Sequence, residues 1–282
     1  MNKWIAGARP KTLPAAIAPV AVGTALAGAN FHPFLALLAL LVSLALQVGV
    51  NYANDYSDGI KGTDDNRVGP MRLVASGAAP AHHVKTAAYI ALGFGAIVGL
   101  ILALQTSLWL VAVGAVAIAA AWGYTGGKNP YGYFGFGELA VFVFFGLVAT
   151  MGTYYAQTGE LTLNSLLVAI PMGCLSCALL AINNLRDRAA DELVGKRTLA
   201  VRLGDASART AFIALLLTAH ISVLLLIKPW TLLTLLVLPM TFSLIKAIRS
   251  GANGAALIPL LGKTGKLQLR FAILLALGLL LS

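Results

Sequence analysis

Stretches of about twenty mostly apolar residues follow one another along almost the whole chain, separated by short connections. A helix that crosses the hydrocarbon core of a bilayer needs about 20 such residues, so this arrangement leaves little choice of fold. Only 11% of the 282 residues are charged and 59% are hydrophobic, whereas a soluble domain carries about 25% charged residues. The sequence therefore predicts an all-α polytopic membrane bundle, one domain over residues 1–282. Nine spans are expected, near 11–29, 34–58, 83–104, 107–124, 132–157, 163–187, 206–227, 230–248 and 266–282, the last being the shortest. Glycine and proline inside several spans fit helices that approach closely. Gly95 and Gly99 read as a packing pair of small residues.

Charge placement orients the bundle. Of the 20 Lys and Arg residues, Lys228 alone falls in a connection on one side. The others gather at the N-terminus and in every second connection. Short basic loops stay cytoplasmic, which predicts a bacterial cytoplasmic membrane protein with its N-terminus and functional face inside. The net charge of +10 is then mostly topology, and no soluble basic domain is present to bind nucleic acid. Residues 1–10 show no cleavable signal. Cys174 and Cys177 lie within one span with no His close in sequence, so they read as small buried apolar residues rather than a zinc site.

Two acidic clusters close the second and sixth spans. The first reads Asn51-Tyr-Ala-Asn54-Asp55-Tyr-Ser-Asp58, with Asp64 and Asp65 beyond it. The second reads Asn183-Asn184-Leu-Arg-Asp187-Arg-Ala-Ala-Asp191. They start 132 residues apart and each leads into a Gly- and basic-rich loop, a parallel repeat of four helices with one helix left over. Ionisable residues at a membrane span mark function by default. Residues at i, i+4 and i+7 share a helix face, which brings together Asn51, Asp55 and Asp58. The same rule joins Asn183 (or Asn184), Asp187 and Asp191. Every donor is a hard oxygen, a set that prefers Mg²⁺ or Mn²⁺ completed by substrate phosphates. A solvated helix end would look similar for one cluster, but not for two on one face.

Basic residues stand beside both clusters, and metal ions plus Lys and Arg turn a carboxylate-rich mouth into one that accepts a diphosphate. Lys61, Arg67, Lys196 and Arg197, nearest the clusters in sequence, are the expected phosphate contacts, with Asn51, Asn183 and Asn184 supporting. Arg202 and Arg209 are expected to remain solvated. A third stretch, Tyr124-Thr-Gly-Gly-Lys128, ends the fourth span on the same face. Glu138 is the one acid inside the fifth span, where a helix N-terminus would also favour it.

Together these residues resemble the UbiA-type intramembrane aromatic prenyltransferases, whose hallmark is two Asp-rich motifs on helices two and six. The resemblance runs through Arg9-Pro-Lys11-Thr-Leu13, the first cluster with Lys61-Gly62 and Asp64, Arg67-Val-Gly-Pro70 and Arg72. It continues through Tyr124-Thr-Gly-Gly127, Gly132-Tyr133, Gly137-Glu138 and the second cluster into Gly195-Lys-Arg-Thr-Leu-Ala-Val-Arg-Leu-Gly204. The short Asp55-to-Asp58 spacing favours the naphthoate subgroup.

The resemblance implies a helical bundle around a cavity open to lipid. It also implies polyprenyl diphosphate and 1,4-dihydroxy-2-naphthoate as substrates, and loss of diphosphate and CO₂ to give demethylmenaquinol in menaquinone biosynthesis. On that reading Asn54, Asp55, Asp58, Asp187 and Asp191 hold Mg²⁺. Tyr124, Tyr52 or Phe rings shield an allyl cation, and Asp64 or Asp65 serves as base. Arg9 or Lys11 receives the aromatic carboxylate, with Lys128 and Glu138 as further acceptor contacts. Other acceptors (4-hydroxybenzoate, homogentisate, or a carboxylated naphthoquinone receiving phytyl) stay open within the enzyme class. A divalent-cation-dependent transporter is the rival outside it, but carriers hold ions near the midplane and these acids lie at helix ends.

Overall fold

The computed structural model describes residues 2–64, 69 and 71–282. After a one-turn helix at Lys3–Gly7 the chain forms α1 (Pro14–Leu26), α2 (Pro33–Ile60), α3 (Ala81–Gln105), α4 (Trp109–Gly123) and α5 (Gly137–Thr158). Then follow α6 (Leu163–Leu193), α7 (Leu199–Leu224), α8 (Pro229–Arg249) and α9 (Leu257–Leu280). No strand occurs among the described residues.

Local chemistry sets the starts. Pro14, Pro33 and Pro229 stand in the first turns of α1, α2 and α8, where a missing N–H costs nothing. α6 opens on a reciprocal cap: Thr162 Oγ1 accepts from the Ser165 N–H at 3.2 Å and Ser165 Oγ accepts from the Thr162 N–H at 3.1 Å.

Among the described residues, six helices (α2, α3 and α5–α8) are long and apolar enough to cross a membrane. α1 and α4 are apolar but have 13 and 15 residues, about 20 and 22 Å at 1.5 Å per residue. α9 starts at Leu257, nine residues before the expected 266, and it carries Lys263, Lys266 and Arg270, which weakens its hydropathic signal. α7 likewise starts at Leu199 rather than 206, with Gly204 (φ 76°) breaking its first turns. The nine expected spans are thus not all matched by length and composition.

α6 is the central helix: 72% of its most apolar stretch is buried, against 28% for α2 and α3. It packs against α7, α9 and α1 in the largest apolar core, around Met172, Leu175, Phe212, Leu216 and Phe271. On its other side α5 widens into a π-helical segment at Phe142–Val148. There Gly146 lies so close to Gly173 of α6 that a Cβ would stand 2.5 Å from the Gly173 Cα. Glycine is required at that crossing, and π segments recur at functional sites. The outer faces of α3 and α4 expose Ile90, Ile97, Leu104 and Val116, as lipid contact requires. The most extensive helix pairs are α2 with α3 and α6 with α7, the equivalent pairs of the expected repeat.

Candidate active site

Between α1, α2, α4, α5 and α6 lies a cavity of about 280 Å³. Its deep walls are apolar, with Leu102, Leu110, Phe144, Phe145 and Val148 among them. At one end it is lined by Asn51, Asn54 and Asp58 from α2 and by Asn183, Asn184, Asp187 and Asp191 from α6. The two clusters therefore share one mouth, and among the described residues Lys196 bridges them. Lys196, folded back just after α6, places Nζ 3.2 Å from Asp58 Oδ2 and 4.0 Å from Asp191 Oδ1.

Each tip is fixed by its neighbours. Asp58 is 1% exposed, and its Oδ1 accepts a 2.8 Å hydrogen bond from Tyr133 Oη. The Tyr133 ring stands 4.9 Å from Lys61 Nζ and 5.0 Å from Lys196 Nζ, within cation–π range of both. Asn54 Oδ1 accepts from Thr125 Oγ1 at 2.8 Å. Lys61 Nζ donates to the carbonyls of Thr125 and Gly127 at 2.7 and 3.2 Å. The loop after α4 is thereby tied to the α2 tip. That loop turns tightly because a Cβ on Gly132 would sit 2.6 Å from the Tyr124 ring. On α6, Arg186 Nε and Nη2 each donate at 2.7 Å to the two oxygens of Asp187.

Asp55, an expected metal ligand, stands apart from these acids. It is fully buried, does not line the cavity, and its oxygens accept the backbone N–H groups of Leu73 and Val74 at 2.9 and 3.1 Å. The face of α2 that meets the cavity runs through Asn51, Asn54 and Asp58, which is i, i+3 and i+7 rather than i, i+4 and i+7. Asp64, an expected base, pairs with Arg72 Nε at 3.1 Å and also stays out of the lining. Tyr52 donates to the Trp4 carbonyl at 2.7 Å, away from the cavity. Lys11 and Lys128 are exposed, and Lys11 packs on Gly262 of α9. Arg197 is exposed, Lys61 lies behind Tyr133, and Glu138 accepts from Asn184 Nδ2 at 2.9 Å without reaching the lining. Asp65 and Arg67 lie outside the described residues.

Several further residues in the lining were not among the expected metal ligands or basic phosphate contacts. Arg72 is 8% exposed, lines the cavity, and its Nη1 is buried without a hydrogen-bond partner among the described residues. Arg9, expected at the acceptor, also lines it, holding the Asn51 carbonyl at 3.3 Å. Its left-handed backbone (φ 52°) is a strained conformation for a non-glycine residue, of the kind that collects at functional sites. Below it Gln47 Nε2 donates to Thr12 Oγ1 at 3.0 Å, and Ser43, Gln47 and Asn51 form a polar ladder on α2. Polar residues at that spacing inside an apolar span are a readable signal.

Electrostatics settle some roles. Burial pushes the Tyr124 phenol well above its ordinary pKa, with Glu138 and Asp58 adding to the effect. Burial raises Tyr131 to about 12. Both lining tyrosines therefore keep their protons at neutral pH. Partial burial lowers the Lys61 pKa, an effect opposed by Asp58 and reinforced by Lys196.

A metal ion suits these oxygens. Asp58 and Asp191 already converge on one cation, the Lys196 ammonium. No group of three His, Cys, Asp or Glu among the described residues forms a metal cage by itself. A site of few carboxylates completed by substrate phosphates is the usual manner of Mg²⁺.

The profile of the UbiA prenyltransferase family matches residues 16–256. The chain belongs to that family. It is 52% identical over 279 residues to a 1,4-dihydroxy-2-naphthoate octaprenyltransferase of Mycobacterium tuberculosis, covering 97% of this chain and 95% of that protein. It is 38% identical over 293 residues to the Escherichia coli protein of the same name, covering 99% and 95%. The fold matches a solved UbiA homologue from Archaeoglobus fulgidus bound to DMAPP and Mg²⁺, with a TM-score of 0.70, 14% identity and 99% of both chains covered.

Proposed function

We propose that this member of the UbiA family transfers a polyprenyl group from polyprenyl diphosphate to 1,4-dihydroxy-2-naphthoate, releasing diphosphate and CO₂, as a step of menaquinone biosynthesis. The relatives named above for the naphthoate support this acceptor over 4-hydroxybenzoate or homogentisate. The observation that carries the reading is the single mouth at which Asp58 and Asp191 share Lys196 above an apolar chamber. The whole chain works as one integral-membrane domain, with N-terminus and mouth on the cytoplasmic side, as the basic connections require.

The tail enters the chamber past Leu102, Leu110 and Phe144, where each buried methylene contributes about 0.8 kcal/mol. That energy lies away from the reacting carbon and serves to position it. A divalent cation, Mg²⁺ or alternatively Mn²⁺, held by Asp58, Asp187 and Asp191 with the Asn54 and Asn183 amides, would supply Lewis-acid charge to the leaving diphosphate. Lys196 and Arg72, both in the lining, would stabilise the negative charge that grows as the allylic C–O bond breaks. Tyr124, Tyr131 and Phe144 line the chamber and would stabilise the cationic carbon through their rings, while the apolar wall excludes water. Arg9 holds the naphthoate carboxylate.

Attack at the carboxylated ring carbon forms the new C–C bond. The electron pair of the C–CO₂ bond then returns to the ring as CO₂ leaves. The departing group is CO₂ rather than a proton, so this chemistry needs no base at that carbon. The lining carboxylates Asp58, Asp187 and Asp191 are thereby left to the metal.

Membranes containing the protein, supplied with the naphthoate and a polyprenyl diphosphate, are expected to release diphosphate and CO₂ in equal amounts and only with Mg²⁺ or Mn²⁺. Turnover that survives full chelation would remove the metal from this scheme. Diphosphate release without CO₂ would point to a different acceptor.

A further inference from the structure

Four acids at or near the mouth have cationic partners of two kinds. Asp187 is gripped by the two-pronged Arg186 at 2.7 Å, and Asp64 pairs with Arg72 Nε at 3.1 Å. Asp58 shares with Asp191 a lysine held loosely, at 3.2 and 4.0 Å, longer than the 2.7–2.9 Å of a tight charge-assisted bond. An ammonium is a compact point charge on a flexible stem, whereas a guanidinium fork fixes its partner. In that same position the Lys196 ammonium also stands over an aromatic ring. The face of Tyr133 lies 5.0 Å from its Nζ, and the Tyr133 hydroxyl is bonded to Asp58. The backbone beneath it is anchored, since the Lys196 N–H donates to the Asp191 carbonyl at 2.8 Å. The side chain can therefore leave the carboxylates while its Cα stays at the tip.

We propose that Lys196 is an exchangeable counter-ion: its ammonium holds the oxygens of Asp58 and Asp191 that the divalent cation uses, and yields them when a diphosphate arrives. This rests on the metal reading given above and goes beyond it. An ammonium and a divalent cation repel at a few ångströms in a poorly solvated mouth, so they compete for one pair of carboxylates. A diphosphate supplies the ammonium with a new anionic partner next to the Tyr133 face and frees both carboxylates together. Metal and diphosphate then bind cooperatively, each raising the affinity for the other, and the metal is held weakly without the substrate it must activate.

The test is Mn²⁺ binding, followed by electron paramagnetic resonance of free Mn²⁺, to the purified full-length protein without any diphosphate. Lys196→Met is expected to bind Mn²⁺ at least tenfold more tightly than wild type. Lys196→Gln is expected to do the same should Lys196→Met fold poorly, and Lys196→Arg should remain within threefold of wild type. Adding Asp58→Asn to Lys196→Met should abolish the gain. Equal or weaker Mn²⁺ binding by the neutral variants, with thermal unfolding intact, overturns the proposal. In that event Mg²⁺-dependent diphosphate release that is present in wild type and lost in Asp58→Asn preserves the underlying metal reading. Release that is indifferent to Asp58→Asn defeats both.

Discussion

The tips of α2 and α6 occupy equivalent places in the chain's repeat, yet they do different work. α6 turns both of its acids, Asp187 and Asp191, toward the cavity. α2 turns only Asp58 toward it, flanked by the amides of Asn51 and Asn54, and gives Asp55 to the backbone of the loop at Leu73 and Val74. The loop beyond α2 is long and must be folded down so that Arg72 reaches the cavity, whereas the link from α6 to α7 is short and carries Lys196 directly. Kinship between two motifs in sequence therefore does not make their acids interchangeable: one acid holds the backbone of a loop and three line the cavity.

Conservative substitutions should separate the two roles. Asp58→Asn and Asp191→Asn each leave the bundle intact and are expected to lower turnover by about two to three orders of magnitude, the scale of losing one group that stabilises a developing anion. Diphosphate release by variants that melt at the wild-type temperature checks this. Near-normal turnover in either variant would erase the assignment of both tips to one metal site. Asp55→Ala should show the opposite profile. Two buried N–H groups lose their acceptor, at about 1–3 kcal/mol each. Thermal unfolding in detergent should shift down clearly, and proteolysis in the 71–79 loop should rise. Activity is expected to fall through the misplaced loop and to recover in part on cooling. A stable but inactive Asp55→Ala would return Asp55 to the ligand set.

Much of this difference could not be read from the residues. Two matching clusters, their common face and their basic surroundings were legible, because carboxylates at span ends are rare and the charge asymmetry is strong. The helix period alone does not choose between Asn54 and Asp55. Spacings of three and four both lie on one helical face, and what decides is the loop that packs against it. Arg72 belongs to the run that carries the resemblance, but its burial at the cavity has no local signal, since a loop arginine looks the same whether solvated or buried. The bridge from Lys196 to Asp58 spans 138 residues and exists only in the folded protein. At the level of the fold, the expected start of α9 at 266 falls late because Lys263 interrupts the apolar run before it. The Ser43–Gln47–Asn51 ladder is different: the signal was present, as polar residues at helical spacing in an apolar span.

Tyr133 offers a finer probe of the α2 tip. Tyr133→Phe keeps the ring between Lys61 and Lys196 but removes the donor to Asp58 Oδ1. One such bond is worth about 0.5–1.5 kcal/mol, or up to about 3 when the acceptor is charged. A loss of about five- to thirtyfold is expected in kcat/KM. Tyr133→Leu removes the ring as well and should cost more, mainly in KM for the diphosphate, because both lysines lose the surface that holds them. Equal effects from the two variants would mean that the ring contributes nothing.

The smallest expected effect lies next to Lys196. Arg197 follows Lys196 in sequence and carries the same charge, but it is exposed and lies outside the cavity lining. An exposed charge interacts through water and salt, and such pairs are worth about 0–1 kcal/mol. Arg197→Gln should therefore change kcat/KM by less than about fivefold, and what change there is should shrink as ionic strength rises and screening shortens the reach of the field. Measuring diphosphate release for Arg197→Gln and Lys196→Gln at low and at moderate salt distinguishes the two positions. A salt-independent loss at Arg197 as deep as that at Lys196 would mean that the loop closes over the mouth during turnover and brings Arg197 onto the substrate, so that the α6 tip would supply two phosphate contacts in sequence where α2 supplies none of its own.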